Sequence, residues 1–196
     1  MNNKIIDETL DLRIRRTHKL LSDALTSLLT EKAFDNIRVS DICNKAMVHR
    51  TTFYKHFEDK YQLLDFLLGQ IIIEFKEKSM HYTSNINSRE YYIILIKLLF
   101  EHMYENKKLY SVGLLNNSSA RKLLKRIVLE SVISSLESNA ASGINFTIPI
   151  PIISEFYSAA IVNLASWWLE NNMPASIEEM VKYGDMLINK LDTTDK

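Results

Sequence analysis

The sequence predicts an all-α fold of about nine helices. Two observations carry this expectation. Gly (4) and Pro (3) are scarce in a chain of 196 residues, which leaves too few turn formers for a β-rich fold. Apolar residues also recur at helical spacing in one segment after another, separated by short polar or breaker-rich stretches. At 46% hydrophobic and 24% charged the composition is that of an ordinary globular protein, long enough for one or two domains with a real core.

Residues 1–10 read as a loose leader with no apolar signal-peptide core. Leu12 to Glu31 then reads as the first helix, through Leu21, Ala24, Leu25, Leu28 and Leu29. Arg13, Arg15, Arg16 and Lys19 crowd its first turns, where the helix dipole does not favour cations. They are either a solvated charged face or contacts to an anion. Lys32 to Arg38 is a link, with Phe34 and Ile37 as apolar pins.

Val39 to Asp59 reads as two short helices around a tight turn. The first, Ser40 to about Ala46, carries Ile42, Cys43 and Ala46 on one face. Met47 and Val48 make the turn. The second, His49 to about Phe57, sets Phe53, Tyr54 and Phe57 on one side and Arg50, Thr51, Thr52, Lys55 and His56 on the other. A helix about 14 Å long is not stable alone, so neighbours must hold its aromatic side. What stays exposed is a row of donors, on an element of the size that the DNA major groove admits.

This segment resembles the DNA-binding domain of the TetR/AcrR family of bacterial transcriptional regulators. Val39, Asp41 and Ile42 carry the resemblance before the turn. Thr52, Phe53, Tyr54, His56, Phe57, Asp59, Lys60 and Leu63 carry it after the turn, within the run TFYKHFEDKYQLL. Three positions depart from the family pattern: Met47 and Ala33 stand where Gly is usual, and His49 where a Ser usually caps the second helix. The resemblance implies a three-helix helix-turn-helix head over 10–58, a connecting helix over 59–80 and a larger helical regulatory bundle over 81–192. It further implies that Arg50, Thr51 and Thr52 reach base edges, with Phe53 and Phe57 kept for the core. Tyr54, His56 and Lys60 then look like phosphate contacts, and Lys55 shares the polar face. Arg38 stands where a capping Thr or Ser also touches a phosphate; Arg38 keeps the contact and loses the cap, which passes to Ser40. His49 lies near the tip, with phosphate and base both open to it.

Net charge is zero, but residues 13–60 hold ten Lys or Arg against six Asp or Glu, an excess of four that the rest of the chain balances. A basic end on an acidic body suits a protein that docks on DNA by that end.

Lys60 to about Tyr82 is the fourth helix, its broad apolar side formed by Leu63, Leu64, Leu67, Leu68, Ile71, Ile72 and Phe75. Gly69 within it either permits a bend or lets another helix approach closely. In the family a pendulum-like displacement of this helix changes the spacing of two heads. Thr83 to Ser88 is a polar break, and Arg89 to about Asn106 a fifth helix with Tyr92, Leu95, Ile96, Leu99, Phe100 and Met103 inward. Lys107 to Asn117 reads as irregular, and Ser118 to Asn139 as a long helix.

Ile152 to Asn172 is apolar almost all round, and such a helix is covered on both sides. Ile153, Phe156, Ala160, Leu164, Trp167 and Trp168 form one side. Ala159, Val162, Ala165, Ser166 and Leu169 form the other, small one, which is expected to meet a second subunit. After Pro174, Ser176 caps a last amphipathic helix, Ile177 to Leu191, whose Met180, Tyr183 and Leu187 belong to the same expected interface. In the family the last two helices pair with their mates, and the run WWLENNMPASIEEM looks like the C-terminal domain of one broad subgroup. Phe100, His102, Met103, Tyr104, Tyr110, Phe156, Asn163 and Trp167 are the candidate lining of an apolar effector cavity in the body, although each taken alone also reads as plain core.

Other chemistries lack their signatures. The five His and the single Cys43 show no metal-ligand spacing, and no nucleophile elbow, P-loop or dinucleotide fingerprint is present, so no metal, cofactor or enzymatic activity is expected. One cysteine allows no intrachain disulfide, and no apolar run reaches the ~18 residues of a membrane span. The expected protein is a cytoplasmic, nucleoid-associated homodimer on a near-palindromic double-stranded operator. It acts as a repressor released by a small hydrophobic effector or, alternatively, as a co-activator working through protein partners.

Overall fold

The structure, a computed structural model, describes residues 12–80, 88–115, 118–143 and 145–192. Among them the fold is all-helical, as expected. The α-helices are α1 (Leu12–Leu29), α2 (Val39–Ala46), α3 (Arg50–His56), α4 (Lys60–Met80), α5 (Ser88–Glu105), α6 (Ser118–Ala141), α7 (Ile150–Glu170) and α8 (Ile177–Asp192). A single 3-10 turn, Phe34–Asn36, precedes α2, and a π-helical turn, Leu109–Leu114, precedes α6. The expected leader and the polar break, apart from Ser88, lie outside the described residues. So do the side chains of Tyr92 and Leu191.

Packing groups these elements into two compact units. The first holds the described residues up to Ile72 together with Lys108–Ser131; the second holds Ile73–Lys107 with the described residues from Val132 onward. The division therefore falls inside α4 and α6, whereas the expected boundary at residue 81 follows the chain.

The first unit is built on α1, whose Leu21, Leu25 and Leu29 are fully buried. Phe34, Ile37, Ile42, Phe53, Phe57, Leu63 and Leu64 complete that core. The stretch expected to be irregular is helical and enclosed: Leu109, Tyr110, Leu114 and Leu115 are all buried. Gly113 makes this possible, because a Cβ there would lie 2.6 Å from the Leu29 carbonyl oxygen. Arg126 of α6 pairs with Asp65 of α4 and with Glu130, 2.8 Å away. Burial pushes the Tyr110 phenol well above its ordinary pKa, so it stays neutral.

In the second unit α5 packs on α8, with Ile96 against Gly184. Trp168 is 1% exposed; its ring meets Phe100 at 5.0 Å, edge to face, and its indole N–H donates to the Ala175 carbonyl at 2.8 Å. Ser176 caps α8 reciprocally with Glu179, as the sequence predicts.

Among the described residues no atom beyond its own helix turn lies within 4 Å of a would-be Cβ at Gly69, so close packing does not explain it. Gly69→Ala is therefore expected to stabilise α4 by about 0.5–1 kcal/mol through helix propensity alone. A rise in the urea midpoint checks this; a fall would mean that the helix needs glycine there for bending.

Candidate nucleic-acid interface

α2 begins at Val39, one residue earlier than expected, and Ser40 lies inside it rather than at its cap. The cap position is Arg38, whose backbone N–H donates to the Asp41 carboxylate at 3.1 Å. Arg38 has no acceptor to offer in return, so only this half of a capping box exists. Asp41 also takes the Lys32 ammonium at 2.7 Å, and that contact, with the Arg38 N–H, holds its carboxyl below the usual range. The Lys32–Asp41 pair is missing from the sequence reading. An acidic residue three positions after a cap signals its bond to the cap N–H, not a lysine nine residues earlier. A second pair, Lys45–Glu31, ties α2 to the end of α1.

Cys43 faces the core and burial raises its thiol pKa, as befits a small hydrophobe. Met47 ends α2 in the left-handed region (φ 53°, ψ 40°), the conformation that the usual Gly would adopt. Its side chain is 92% exposed.

His49 then occupies the cap position of α3, without a side-chain capping bond. α3 is only seven residues long. Phe53 is fully buried, Phe57 nearly so, and their rings stand 5.9 Å apart. Arg50, Thr51 and Lys55 are exposed and Thr52 half-exposed, with Arg38 and His49 also at the surface; Tyr54, expected beside Phe53 and Phe57, is exposed with the donors instead. The candidate donors thus share the wet side of a helix whose other side is anchored.

Two candidates stand apart. The half-buried His56 ring meets the buried His18 ring edge-on at 5.1 Å, and His18 also touches Phe57 and Phe66. His56 is thus part of the packing between α1 and α3. Lys60 is also half-buried, and its ammonium donates to the carbonyls of Phe34 (3.0 Å), Asp35 (3.0 Å) and Ile37 (2.8 Å). All three of its protons are used within the chain.

The candidate effector residues divide between the two units. Phe100 and Met103 are buried in the second unit, and the half-buried His102 lies 5.4 Å from Phe75, its pKa lowered by desolvation. Tyr110 belongs to the first unit. Tyr104, Phe156, Asn163 and Trp167 are exposed.

On α7 the burial pattern cuts across the two expected faces. Val162, Ala165, Ser166 and Leu169, expected at a subunit interface, are buried within the chain, and Ala159 is half-buried. The open side instead runs Ile152, Phe156, Ala160, Asn163, Trp167. Trp168, expected on the opposite side with Trp167, is buried with them. On α8, Tyr183, Met186 and Leu187 are exposed, but Met180 is buried. Among the described residues no group of His, Cys, Asp or Glu is arranged to hold a metal ion, and no helix is long and apolar enough to cross a membrane.

Comparison with known proteins identifies what this head belongs to. Residues 21–66 match the family model of bacterial regulatory proteins of the tetR family, and residues 90–190 match that of a transcriptional regulator C-terminal region. The chain is 26% identical over 96 residues to the dhaKLM operon transcriptional activator DhaS of Lactococcus lactis, covering 49% of this chain and 50% of that one. It spans half or less of the length of the curated relatives it matches. Among solved structures, a TetR transcriptional regulator from Streptococcus agalactiae superposes with a TM-score of 0.61 at 22% identity, covering 90% of this chain and 95% of that one. The regulator FadR from Bacillus subtilis, solved in complex with stearoyl-CoA, superposes with a TM-score of 0.62 at 17% identity over 86% and 96% of the two chains. The two family matches together take in the buried-backed α3 and the helical body, and the chain belongs to the TetR family of transcriptional regulators, DNA-binding proteins rather than enzymes.

Proposed function

We propose that the protein is a homodimeric repressor that grips a near-palindromic operator with two copies of α3 and lets go when a small hydrophobic effector enters the helical body. The supporting observation is the exposed row Arg50, Thr51, Tyr54 and Lys55, backed by the buried Phe53 and Phe57. Arg50, Thr51 and Thr52 read base edges; Arg38, His49, Tyr54 and Lys55 contact phosphate and set register. The functional division is a head over 10–58, a connector over 59–80 and a body over 81–192, working in the cytoplasm on the nucleoid.

Dimerisation uses the open side of α7 and α8. Phe156, Trp167, Tyr183, Met186 and Leu187 are all about half exposed or more, an apolar surface that a second copy would cover. Two heads then meet successive major grooves ~34–36 Å apart. The effector reading draws on the likeness to FadR and on Phe100, Met103 and neutral His102 in the second unit. An effector works by binding a head spacing that no longer matches the operator more tightly than the one that does.

A gel shift with the gene's own upstream region tests the core of this reading. Binding is expected to weaken steeply with salt. Arg50→Ala should cost about 1–3 kcal/mol and relax base preference at one position of each half-site. Unchanged binding by that variant would sink the docking. The likeness to a transcriptional activator favours a second reading, in which the protein raises rather than lowers transcription of its target. Lower rather than higher target transcription after deletion of the gene would select it.

A further inference from the structure

Lys60 stands at the first position of α4, yet its ammonium points back across the head. It reaches three carbonyl oxygens in a four-residue stretch, those of Phe34, Asp35 and Ile37, all at 2.8–3.0 Å. It also lies 4.7 Å from the Phe34 ring centre and 5.5 Å from that of Tyr61. Phe34 and Ile37 are at most 1% exposed. These carbonyls belong to the 3-10 turn and to the residue just before Arg38, which caps α2. An ammonium has three donors and no acceptor, so this cage is complete.

We propose that Lys60 is a positioning residue of the DNA-binding head, fastening the start of α4 to the backbone that enters α2, and that it does not contact phosphate. This rests on the head's role as the DNA-binding unit. α4 passes from the first compact unit into the second, so this lysine is where that helix grips the segment that carries Arg38 and Ser40. α2 packs in turn against α1 and α3. Loss of the cage frees α2, and with it the orientation of the recognition helix. Desolvation lowers the Lys60 pKa, as expected for a cation held among carbonyls and rings rather than in water.

The test compares wild type, Lys60→Met and Lys60→Arg on operator and on random-sequence duplex, each titrated with salt and each with its melting temperature. The Lys60→Met variant is expected to bind operator about tenfold or more weakly while binding random duplex nearly as well, so the specificity ratio falls. The slope of log K against log salt is expected to stay that of wild type. A phosphate contact would instead reduce that slope by about 0.9 per contact, or about two for a dimer, and weaken both duplexes alike. That outcome overturns the proposal. A lower melting temperature with both affinities unchanged also overturns it, since Lys60 would then serve stability alone. Lys60→Arg keeps the charge but carries its donors on a flat fork, so it is expected to fail at the cage; full rescue of operator affinity by Arg would favour phosphate. If Lys60→Met does not fold, the Arg variant decides alone. Absence of salt-dependent operator binding by the wild type would be a failure of the DNA-binding reading, separate from any result on Lys60.

Discussion

Trp168→Ala is expected to destabilise the protein by about 3–5 kcal/mol, whereas the same change at the adjacent Trp167 costs less than about 1 kcal/mol in the isolated subunit. Trp168 is buried, packed on Phe100 and hydrogen-bonded through its indole to Ala175. Its removal leaves a cavity and an unpaired carbonyl at the chain's passage from α7 to α8. Trp167 is 48% exposed on the open side of α7. Its loss should appear as weaker self-association, read by analytical ultracentrifugation across a dilution series. Urea unfolding distinguishes the two tryptophans. Equal destabilisation by both would mean that α7 is rotated from the orientation described.

Gly113→Ala is expected to lower stability by about 1–3 kcal/mol, opposite in sign to Gly69→Ala. Both glycines lie in helical backbone, where alanine is normally better. At Gly113, however, a methyl group would sit 2.6 Å from the Leu29 carbonyl oxygen and 2.7 Å from its Cβ. A carbonyl at the end of α1 is backbone and yields only if α1 or the π-helical turn shifts. A fall in melting temperature of several degrees checks this. No change would show that 109–114 does not press on α1.

Much of the head could be read without coordinates because its signals are local. Phe53 and Phe57, four residues apart, can lie on one side of a helix whatever packs there, and that side is buried. Met47 stands where the resemblance implies a Gly, and it takes the left-handed conformation that Gly favours. Asp41, in contrast, reads as a motif residue, but its partner Lys32 depends on where the link folds. Lys60 shows the limit most clearly. A lysine at the mouth of a DNA-binding head resembles a phosphate contact in sequence, and nothing in the sequence near it reveals that carbonyls more than twenty residues earlier take all its protons.

α7 is hard to orient from sequence for a different reason. Periodicity finds the apolar side of a helix only when the other side is polar. With Glu155 and Glu170 its only charged residues, α7 offers no such contrast, and the choice between Val162–Ala165–Leu169 and Phe156–Trp167 as the buried set had no local basis.

Residue order was enough for the helical class, the helix-turn-helix and the family, since these rest on spacing and on turn chemistry within about twenty residues. Three-dimensional packing assigned residues 108–131 to the head, chose the inward face of α7 and turned Lys60 to the backbone. Each of those outcomes depends on which distant surface comes near, and a contact between remote segments leaves no trace in the periodicity of either one.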